Sequence, residues 1–403
     1  MKIAIMGYGT IGSGVAAVVE ENRESISRKV GEPLEVKYVL DLREFPGNPI
    51  QEKIVHDVDV IMNDPEVAIV VETMGGVEPA RTFVKKALSA GKSVATSNKE
   101  LVAKCGTELL DLAKENQVSF LFEASVGGGI PIIRPLNQCL TADEIMEITG
   151  ILNGTTNYML TKMDKEGMTF DAVLKEAQEK GYAEKNPSAD IDGFDACRKI
   201  AILSSLAYGS QVDYEDIYTE GITKITDTDF KYANKMGTSI KLFGTSRRVG
   251  EQFYAMVAPV MIDSSHPLYA VNDVFNGIMV EGNMVDKLMF YGRGAGSLPT
   301  ASAVVADVIE EAKNLHTTLL TSWSTKKLAL ADMGTYSRKF FVRMAGKRSE
   351  KAAEVEAAFG RVTYIELEGL DEFAFVTQEM KESEYTEKAA KLCGVLQMIR
   401  MDM

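Results

Sequence analysis

Residues Lys2–Gly12 read KIAIMGYGTIG: a short apolar run, the glycine pattern G-x-G-x-x-G, and then apolar residues at helical spacing. This order of strand, glycine loop and helix is typical of a dinucleotide-binding unit. Gly7 would allow the tight turn, Gly9 would let backbone amides approach a pyrophosphate, and Gly12 would let the helix pack on the strand. The amino end of the helix would supply amide donors and a positive dipole to the phosphates. The stretch therefore predicts a dinucleotide site.

Strand and helix patterns continue to alternate as far as residue 122. The predicted strands after the first are 36–40, 68–72, 93–96 and 118–122, and the predicted helices include 79–90 and 99–116. Such alternation favours an α/β protein with a parallel, doubly wound sheet and right-handed crossovers. We therefore expect a Rossmann-type NAD(P)-binding domain over residues 1–130, with its ligand edge formed by the loops that follow the strands.

Two loops at that edge carry residues that could contact the cofactor. Asp41 follows the second strand, where a carboxylate accepts a hydrogen bond from the ribose 2′-hydroxyl of NAD. Arg43 could instead pair with the 2′-phosphate of NADP, so both cofactors stay candidates. Thr96 and Lys99 lie at the end of the fourth predicted strand and on the loop after it. Lys99 is either a site residue or a solvated surface lysine.

The segment GYAEKNPSADIDGFDACRKIAIL, residues 181–203, concentrates charge just before an apolar helix. Its charged residues include Glu184, Asp190, Asp192, Asp195 and Lys199. Asp195 and Lys199 are four positions apart and so share one helix face, while Asp190 or Asp192 would cap the helix. Because its neighbours along the chain are apolar, the Lys199 ammonium is expected to lie against apolar side chains rather than in open water. A lysine held there among carboxylates can act as a general acid or base. A capped surface helix with one ion pair is the alternative.

The middle of the chain predicts an α+β unit. The triple glycine in EASVGGGIP marks the exit from the first domain. A substrate-binding and dimerisation domain is expected over residues 131–296, with strands at 144–152 and within 252–289, and helices at 170–180 and 194–208. A late glycine cluster precedes an apolar helix at 300–311, which we expect to return to the first domain and to complete it over residues 297–325. Residues 326–335 then form a predicted linker.

The last part of the chain predicts a small separate domain over residues 336–403. Its predicted elements are a strand at 339–344, a helix at 350–359, strands at 362–368 and 372–378, a helix at 385–393 and a strand at 395–401. This order is βαββαβ, which is typical of a ferredoxin-like fold.

Composition narrows the classes of function. The 403 residues are enough for two or three domains. A formal net charge of −14 argues against a general nucleic-acid or anionic-membrane partner. The four cysteines have no metal-ligand spacing, which favours reduced thiols without a structural zinc site. Without a signal-type start or an apolar run of about 18 residues, we expect a cytoplasmic protein with a small-molecule substrate and no membrane partner.

Several ordered blocks resemble the homoserine dehydrogenase family. The blocks are GYGTIG, GKSVATSNKELVA, FEASVGGGIPII, GILNGTTNYML, GYAEKNPSADIDGFDACRK and GRGAGSLPT, and the resemblance runs over residues 1–311. It implies reduction of aspartate 4-semialdehyde to homoserine with NAD(P)H, or the reverse, in threonine, methionine and isoleucine synthesis. It also implies a homodimer or higher homo-oligomer built through the substrate domain.

The resemblance further implies roles for residues at matching positions. Lys199 would be the acid/base at the substrate oxygen, and Lys99 the second lysine of the site. Glu184 and Asp195 would bind the substrate, with Asp190 close by. By resemblance, Lys99, Gly181 and Gly296 would also border the cofactor. They add to the residues of the glycine loop and of the strand ends, which are Gly7, Gly9, Thr10, Ile11, Gly12, Asp41, Arg43 and Thr96. A sodium ion would be held by Glu123 and by the carbonyls of Val126, Gly128 and Ile130.

Departures from the family pattern keep some alternatives open. The C-terminal domain is similar to the ACT domain of regulated relatives, but AGKRSEKAAEV replaces the family's D-x-P-G-V-L turn. An amino acid effector and a packing role in the dimer are therefore both open. Other functions are a dehydrogenase of a related amino acid aldehyde and a catalytically silent dinucleotide sensor. The joint presence of Lys99, Lys199, Glu184 and Asp195 argues against the sensor.

Overall fold

The computed structural model describes residues 1–319 and 323–403. The strands of its first sheet are β1 (Lys2–Met6), β2 (Glu35–Leu40), β3 (Ile54–Val55), β4 (Val67–Glu72), β5 (Ser93–Thr96) and β6 (Phe120–Leu121). The helices of this part are α1 (Thr10–Glu21), α2 (Arg23–Val30), α3 (Val58–Met62), α4 (Ala80–Ser89) and α5 (Lys99–Glu115). All strands are parallel, in the order β3-β2-β1-β4-β5-β6. The predicted α/β class and Rossmann-type sheet are confirmed.

Helices on both faces of this sheet explain its apolar strands. β4 reads VAIVVE, and Ile69, Val70 and Val71 are completely buried, as expected for a parallel sheet covered on both sides. The strand predicted at 118–122 is shorter in the structure, because the chain leaves the extended conformation at Phe122 and enters a 3₁₀ turn over Glu123–Ser125.

The second part of the chain packs helices on one face of an antiparallel sheet. Its helices are α6 (Gly154–Glu166), α7 (Phe170–Glu179), α8 (Ser188–Ile191), α9 (Phe194–Tyr208) and α10 (Asp227–Lys235). Its strands are β7 (Ile145–Ile151), β8 (Ser210–Gln211), β9 (Tyr218–Thr219), β10 (Thr238–Val249), β11 (Gln252–Asp263), β12 (Phe275–Gly282) and β13 (Asp286–Arg293). The order β13-β12-β7-β10-β11 is antiparallel throughout. α9 lies against β10 and β11, which brings its buried face to the cleft described below.

A long helix then returns to the first sheet. α11 (Ser297–Lys313) packs on α1, and a Cβ on Gly14 would lie 3.1 Å from the Cβ of Ala301. This close approach explains why a glycine suits the middle of α1. Residues 320–322, within the predicted 297–325 segment, lie outside the described residues.

The C-terminal elements are β14 (Ser324–Lys327), β15 (Ser337–Ala345), α12 (Arg348–Phe359), β16 (Thr363–Glu366), β17 (Glu372–Val376), β18 (Met380–Lys381), α13 (Glu382–Ala389) and β19 (Val395–Met401). From β15 onward the order is βαββαβ with one extra two-residue strand, and the sheet runs β19-β15-β17-β16. β19 pairs in parallel with β11, so this unit extends the preceding sheet to 11 strands. The sequence did not predict this junction.

The predicted linker, residues 326–335, packs on the second part of the chain, because β14 pairs with β8 and Met333 is buried against the β10–β11 face. One local prediction is wrong. The N-cap of α9 is Gly193, with φ 85° and no side-chain cap. Asp190 instead accepts a hydrogen bond from Asn153, and Asp192 accepts one from Ser188. In the part of the chain that the structure describes, no helix is long and apolar enough to cross a membrane.

Candidate active site

The glycine loop between β1 and α1 has room only for glycine at two positions. Gly7 has φ +95°, and a Cβ there would lie 3.0 Å from the Met74 side chain. A Cβ on Gly12 would lie 1.9 Å from the carbonyl oxygen of Gly7. Gly9 is the N-cap of α1, and the space beyond its Cα is open. The loop therefore combines close strand–helix packing with an accessible helix start, as a pyrophosphate site requires.

The end of β2 is tied to this loop by one carboxylate. Asp41 Oδ2 accepts the Tyr8 amide at 2.8 Å, and Asp41 Oδ1 accepts Nε of Arg43 at 2.9 Å. Nη2 of Arg43 donates both to Asp41 Oδ2 and to the Tyr8 carbonyl oxygen. The bonds from Arg43 hold the pKa of Asp41 well below its usual range. Asp41 is therefore a charged acceptor beside the glycine loop, and Arg43 is already paired with it.

A cleft of about 540 Å³ lies where the glycine-loop side of the first sheet meets α6, α9 and the Gly294–Gly296 turn. Ten of the predicted site residues line it: Ile11, Lys99, Val126, Gly128, Gly181, Glu184, Asp190, Asp195, Lys199 and Gly296. The predicted residues Gly7, Gly9, Thr10, Gly12, Asp41 and Arg43 are not in its wall and belong to the adjoining loop and strand end. The fold thus brings together residues that are far apart in sequence.

One carboxylate lies between the two lysines of the cleft. Lys199 Nζ is 2.9 Å from Asp195 Oδ2 and donates to the Leu152 carbonyl oxygen at 2.8 Å. Lys99 Nζ contacts the other oxygen, Oδ1, of Asp195. Asp195 is 3% exposed and Lys199 is 7% exposed. Because a buried charge needs a partner, this arrangement keeps Asp195 ionised and places two amines at one wall of the cleft.

The pKa values of the two lysines move in opposite directions. Burial lowers the pKa of Lys199, the nearby Lys99 cation lowers it further, and Asp195 only partly opposes them. Burial would also lower the pKa of Lys99, but attraction and a hydrogen bond to Asp195 outweigh it and raise that pKa. Of the two, Lys199 is therefore the amine more easily deprotonated.

Asn153 is a site residue that the sequence interpretation missed. Its Nδ2 donates to Asp190 Oδ1 at 2.7 Å and to Asp195 Oδ2 at 2.8 Å, while its Oδ1 caps α6 by accepting the Thr156 amide at 2.8 Å. One amide thus holds two carboxylates side by side. The turn Asn-Gly-Thr-Thr lies in one of the blocks that carry the family resemblance, but nothing in the sequence indicated which acids the free NH₂ would meet.

Other predicted residues differ in how directly they face the cleft. The Glu184 carboxylate accepts no hydrogen bond and forms no ion pair with any residue in 1–319 or 323–403. It is therefore available to a cationic group in the cleft. Thr96 is completely buried and donates its hydroxyl to Glu72 Oε2 at 2.6 Å. Its side chain lies behind the cleft rather than in it.

The loop predicted to hold sodium has an unusual pattern of carbonyl groups. The Glu123 carboxylate accepts the amides of Ile132, Ile133 and Arg134, with N–O distances from 2.5 to 2.8 Å. Those three amides therefore do not donate to the carbonyl groups of the loop that precedes them. The carbonyl oxygens of Val126, Gly128 and Ile130 accept no hydrogen bond within the described chain. Three buried residues thus present main-chain oxygens without partners, which is a donor set that suits a hard cation.

Acidic and thiol side chains do not form a second metal centre in the described ranges. No group of three or more His, Cys, Asp or Glu residues is placed to hold a metal ion there. Any cation at the Glu123–Ile130 loop would therefore depend on main-chain oxygens, since the Glu123 carboxylate is already bonded to three amides.

A glycine loop on a parallel sheet, next to a cleft with a buried lysine and paired carboxylates, defines an NAD(P)-dependent oxidoreductase that acts on a CH–OH group. The family models are more specific. Residues 131–309 match the model described as "Homoserine dehydrogenase", and residues 7–123 match "Homoserine dehydrogenase, NAD binding domain". The chain belongs to the homoserine dehydrogenase family.

Known relatives agree over the length of the chain. Homoserine dehydrogenase of Bacillus subtilis (strain 168) is 37% identical over 404 residues, covering 96% of this chain and 93% of the relative. That of Synechocystis is 46% identical over 319 residues, covering 77% and 72%. The crystal structure of a Thiobacillus denitrificans homoserine dehydrogenase matches with a TM-score of 0.90 at 33% identity, covering 100% and 98%. The family resemblance inferred from the sequence blocks is confirmed.

A further solved structure of the family contains a nicotinamide cofactor. A mutant hyperthermophilic archaeal homoserine dehydrogenase in complex with NADPH matches with a TM-score of 0.66 at 30% identity, covering 77% of this chain and 98% of that one. The match covers less of this chain than the Thiobacillus structure does.

Proposed function

We propose that this chain interconverts L-aspartate 4-semialdehyde and L-homoserine with NAD(P)H, with Lys199 as general acid and base at the substrate oxygen. The observation that carries this proposal is the position of Lys199, buried in the cleft wall 2.9 Å from Asp195 and close to Lys99. When bound, the nicotinamide supplies a hydride to the aldehyde carbon or accepts one from the alcohol carbon. The protein must then hold the oxygen and move one proton.

The lysine pair suits both directions of that proton transfer. During reduction, protonated Lys199 donates to the developing alkoxide, and the Lys99 cation stabilises its negative charge. During oxidation, neutral Lys199 accepts the hydroxyl proton. The lowered pKa of Lys199 makes the neutral amine accessible, while Asp195 keeps the protonated form from being lost. Burial and the neighbouring carboxylates therefore set the pKa of Lys199 so that it can act both as proton donor and as proton acceptor.

Carboxylates of the cleft would recognise the ammonium group of the amino acid. Glu184 lines the cleft and has no partner among the described side chains, and Asp190 lines the same cleft with one oxygen held by Asn153. A substrate ammonium would give Glu184 the partner it lacks. An analogue without the amino group would leave Glu184 without a partner and would form no ion pair with Asp190, which weakens kcat/KM by orders of magnitude in sites built to bind such a group.

For the cofactor, we propose NAD in preference to NADP. The pyrophosphate would lie on the amides near Gly9 and Thr10, and Asp41 would accept the ribose 2′-hydroxyl. Asp41 is charged and directed at the loop by its bond from Tyr8. A 2′-phosphate would be repelled by it, and Arg43 is occupied by the same carboxylate.

The test is the ultraviolet absorbance of reduced nicotinamide, with L-homoserine or its analogue without the amino group, 4-hydroxybutanoate. We expect reduction of NAD with L-homoserine and at least roughly a hundredfold weaker kcat/KM with the analogue. Turnover of another amino acid alcohol in preference to homoserine would favour the related-dehydrogenase alternative. Cofactor binding without any turnover would favour the silent sensor.

The loop Glu123–Ile130 would hold a sodium ion through the main-chain oxygens of Val126, Gly128 and Ile130. The Glu123 carboxylate supports this arrangement by binding the amides that follow. Such an ion would stabilise a loop that lines the cleft at Val126 and Gly128. Its contribution would be to loop geometry, because the proton-transfer groups lie on α5 and α9.

We further propose a homodimer that acts in the cytoplasm, as expected for a biosynthetic enzyme. β13 is the edge of the large sheet, and Met289 and Tyr291 on it are 41% and 54% exposed. Met284, in the turn before it, is 80% exposed. An exposed apolar sheet edge is a surface that a second copy can cover. Light scattering after size-exclusion chromatography would give the mass, and a monomer at micromolar concentration would contradict the dimer.

A further inference from the structure

Glu72 is a buried acid that joins the two loops on the cofactor side of the cleft. It is the last residue of β4, is completely buried, and pairs in register with Thr96 of β5. Its Oε1 accepts the Met74 amide at 2.7 Å, and its Oε2 accepts the Thr96 hydroxyl at 2.6 Å. A carboxylate in an apolar sheet is costly, and an apolar side chain would pack there at lower cost. Its two hydrogen bonds offset part of that cost and fix the geometry of the two loops.

On one side, the contacts of Glu72 support the glycine loop. The Met74 amide nitrogen, which Glu72 binds, lies 3.1 Å from where a Cβ on Gly7 would be. The neighbouring Thr73 hydroxyl donates to the Gly7 carbonyl oxygen at 2.9 Å. The chain immediately after Glu72 is therefore packed against the turn that would receive the pyrophosphate.

On the other side, the hydrogen bond from Thr96 to Glu72 supports the start of α5. Thr96 Oγ1, which donates to Glu72, accepts the Asn98 amide at 2.9 Å. Asn98 Oδ1 then caps α5 by accepting the Leu101 amide at 3.2 Å. Asn98 Nδ2 donates to the Gly76 carbonyl oxygen at 2.6 Å, which closes a ring of bonds back to the β4 turn. Lys99 is the first residue of α5, directly after this cap.

We propose that Glu72 is a positioning residue that sets Lys99 relative to the glycine loop. It reaches neither substrate nor cofactor, and acts through Thr96 and Asn98 on one side and Met74 on the other. The inference rests on the proposed function, in which Lys99 lies beside Asp195 and Lys199. When the network is broken, the α5 start shifts and Lys99 loses its fixed contact with Asp195.

The test compares Glu72→Gln with Glu147→Gln. Glu147 is also a buried, hydrogen-bonded acid, but it lies on β7 and is bonded to Arg247 and Thr149, away from the cleft. A glutamine at position 72 replaces one of the two accepting oxygens by an NH₂ group, so the contact to the Met74 amide or the contact to the Thr96 hydroxyl must change. We expect Glu72→Gln to fold and to lose kcat on the order of tenfold to hundredfold, because small misplacements of this kind are amplified in catalysis. Glu147→Gln should keep the wild-type kcat.

A pH profile separates positioning from simple loss of stability. The Lys99 cation lowers the pKa of Lys199, while Asp195 and Asp190 raise it. If Lys99 moves away, the pKa of Lys199 rises, and the half-maximal rate of homoserine oxidation moves to higher pH. Thr96→Val breaks the same ring at its next member and should cause the same shift. The double variant should then be no worse than the more impaired single variant.

Two results would overturn the inference. One is a wild-type kcat and pH profile in folded Glu72→Gln, and the other is a loss of kcat in that variant without a shift of the pH profile. Failure of the proposed function would look different, because wild-type protein would then show no turnover with homoserine. In that case, the NAD affinities of Glu72→Gln and wild type can still be compared by calorimetric titration. Equal affinities would refute the proposed support of the glycine loop by Glu72 through Met74.

Discussion

Lys199 Nζ lies 2.9 Å from Asp195 Oδ2, one turn apart on the buried face of α9. The same carboxylate contacts Lys99 at the start of α5, so a single acid connects the helix of the second unit to the cofactor-binding unit. The two positive charges compete for one negative charge in a buried setting. As a result, Lys199 is the amine with the lowered pKa and Lys99 is the amine that stays protonated.

Replacing Lys199 by methionine should remove the acid/base group at little change in volume. We expect kcat to fall by roughly 10²–10⁴, the usual contribution of acid–base catalysis, with NAD affinity unchanged. Lys241→Met is a matched control, since Lys241 is 1% exposed on β10 and is bonded to Val271 and Asn272. Steady-state rates and calorimetric NAD titration give both quantities. A Lys199→Met rate near wild type would refute the assignment.

Replacing Asp195 by asparagine should shift the pH dependence in the opposite direction from Glu72→Gln. Asp195 raises the pKa of Lys199, so its removal lowers that pKa further. Homoserine oxidation needs neutral Lys199, and its rate rises as pH passes through that pKa. The half-maximal rate of Asp195→Asn should therefore occur at lower pH than in wild type. A shift to higher pH would contradict the bridging role of Asp195.

Replacing Asp41 by asparagine should change the choice of cofactor. The change removes the charge that repels a 2′-phosphate and weakens the pairing that occupies Arg43. We expect the ratio of kcat/KM for NAD over NADP to fall by about tenfold or more, equivalent to about 1.4 kcal/mol. Adding Arg43→Ala should cancel the gain with NADP. An unchanged ratio in Asp41→Asn would show that the ribose is bound elsewhere.

Replacing Glu311 by glutamine should stabilise the protein, and more so at higher pH. Glu311 is completely buried on α11, and neither carboxylate oxygen has a hydrogen-bond partner among the described residues. Burial first, and the nearby Asp307 next, raise its pKa well above the ordinary value. The folded state therefore binds the proton more tightly than the unfolded state, and stability falls as pH rises from the ordinary pKa towards the raised one.

Melting temperatures at acidic and alkaline pH test this prediction for Glu311. The advantage of Glu311→Gln over wild type should grow as the pH rises above the ordinary pKa of glutamate, because the glutamine carries no proton to lose. Glu310→Gln, one residue earlier on α11 and only partly buried, is the matched control variant. A constant difference across the pH range would mean that the pKa of Glu311 is not raised in the folded protein.

Replacing sodium by choline at constant ionic strength should lower both the melting temperature and kcat, if the carbonyls of Val126, Gly128 and Ile130 bind the ion. Gly128 has φ +58°, and a Cβ there would lie 2.3 Å from the Gly294 carbonyl oxygen. Gly128→Ala should therefore distort the loop and remove the sodium effect. An equal response to sodium in the variant and in wild type would place any ion elsewhere.

Much of the site could be predicted because its residues stand in ordered motifs. The glycine loop, Lys99, Glu184 and Asp195 were identified from local patterns and from the family resemblance, and most of them line one cleft. Asn153 and Glu72 were missed as functional residues. Each acts through side-chain bonds to residues distant in sequence, such as Asn153 to Asp195 and Glu72 to Thr96. The spacing of residues along the sequence does not indicate which distant residues will become hydrogen-bond partners.

The sequence by itself determined the α/β class, the dinucleotide loop, the family and the acidic and basic residues available for chemistry. These follow from periodicity, from glycine geometry and from ordered motifs, all of which are local along the chain. Only the tertiary structure decided which lysine has the lowered pKa, because that depends on burial and on charges brought from α5 and α9. It also decided that β19 joins β11, because a strand edge can pair with any complementary edge that packing brings alongside.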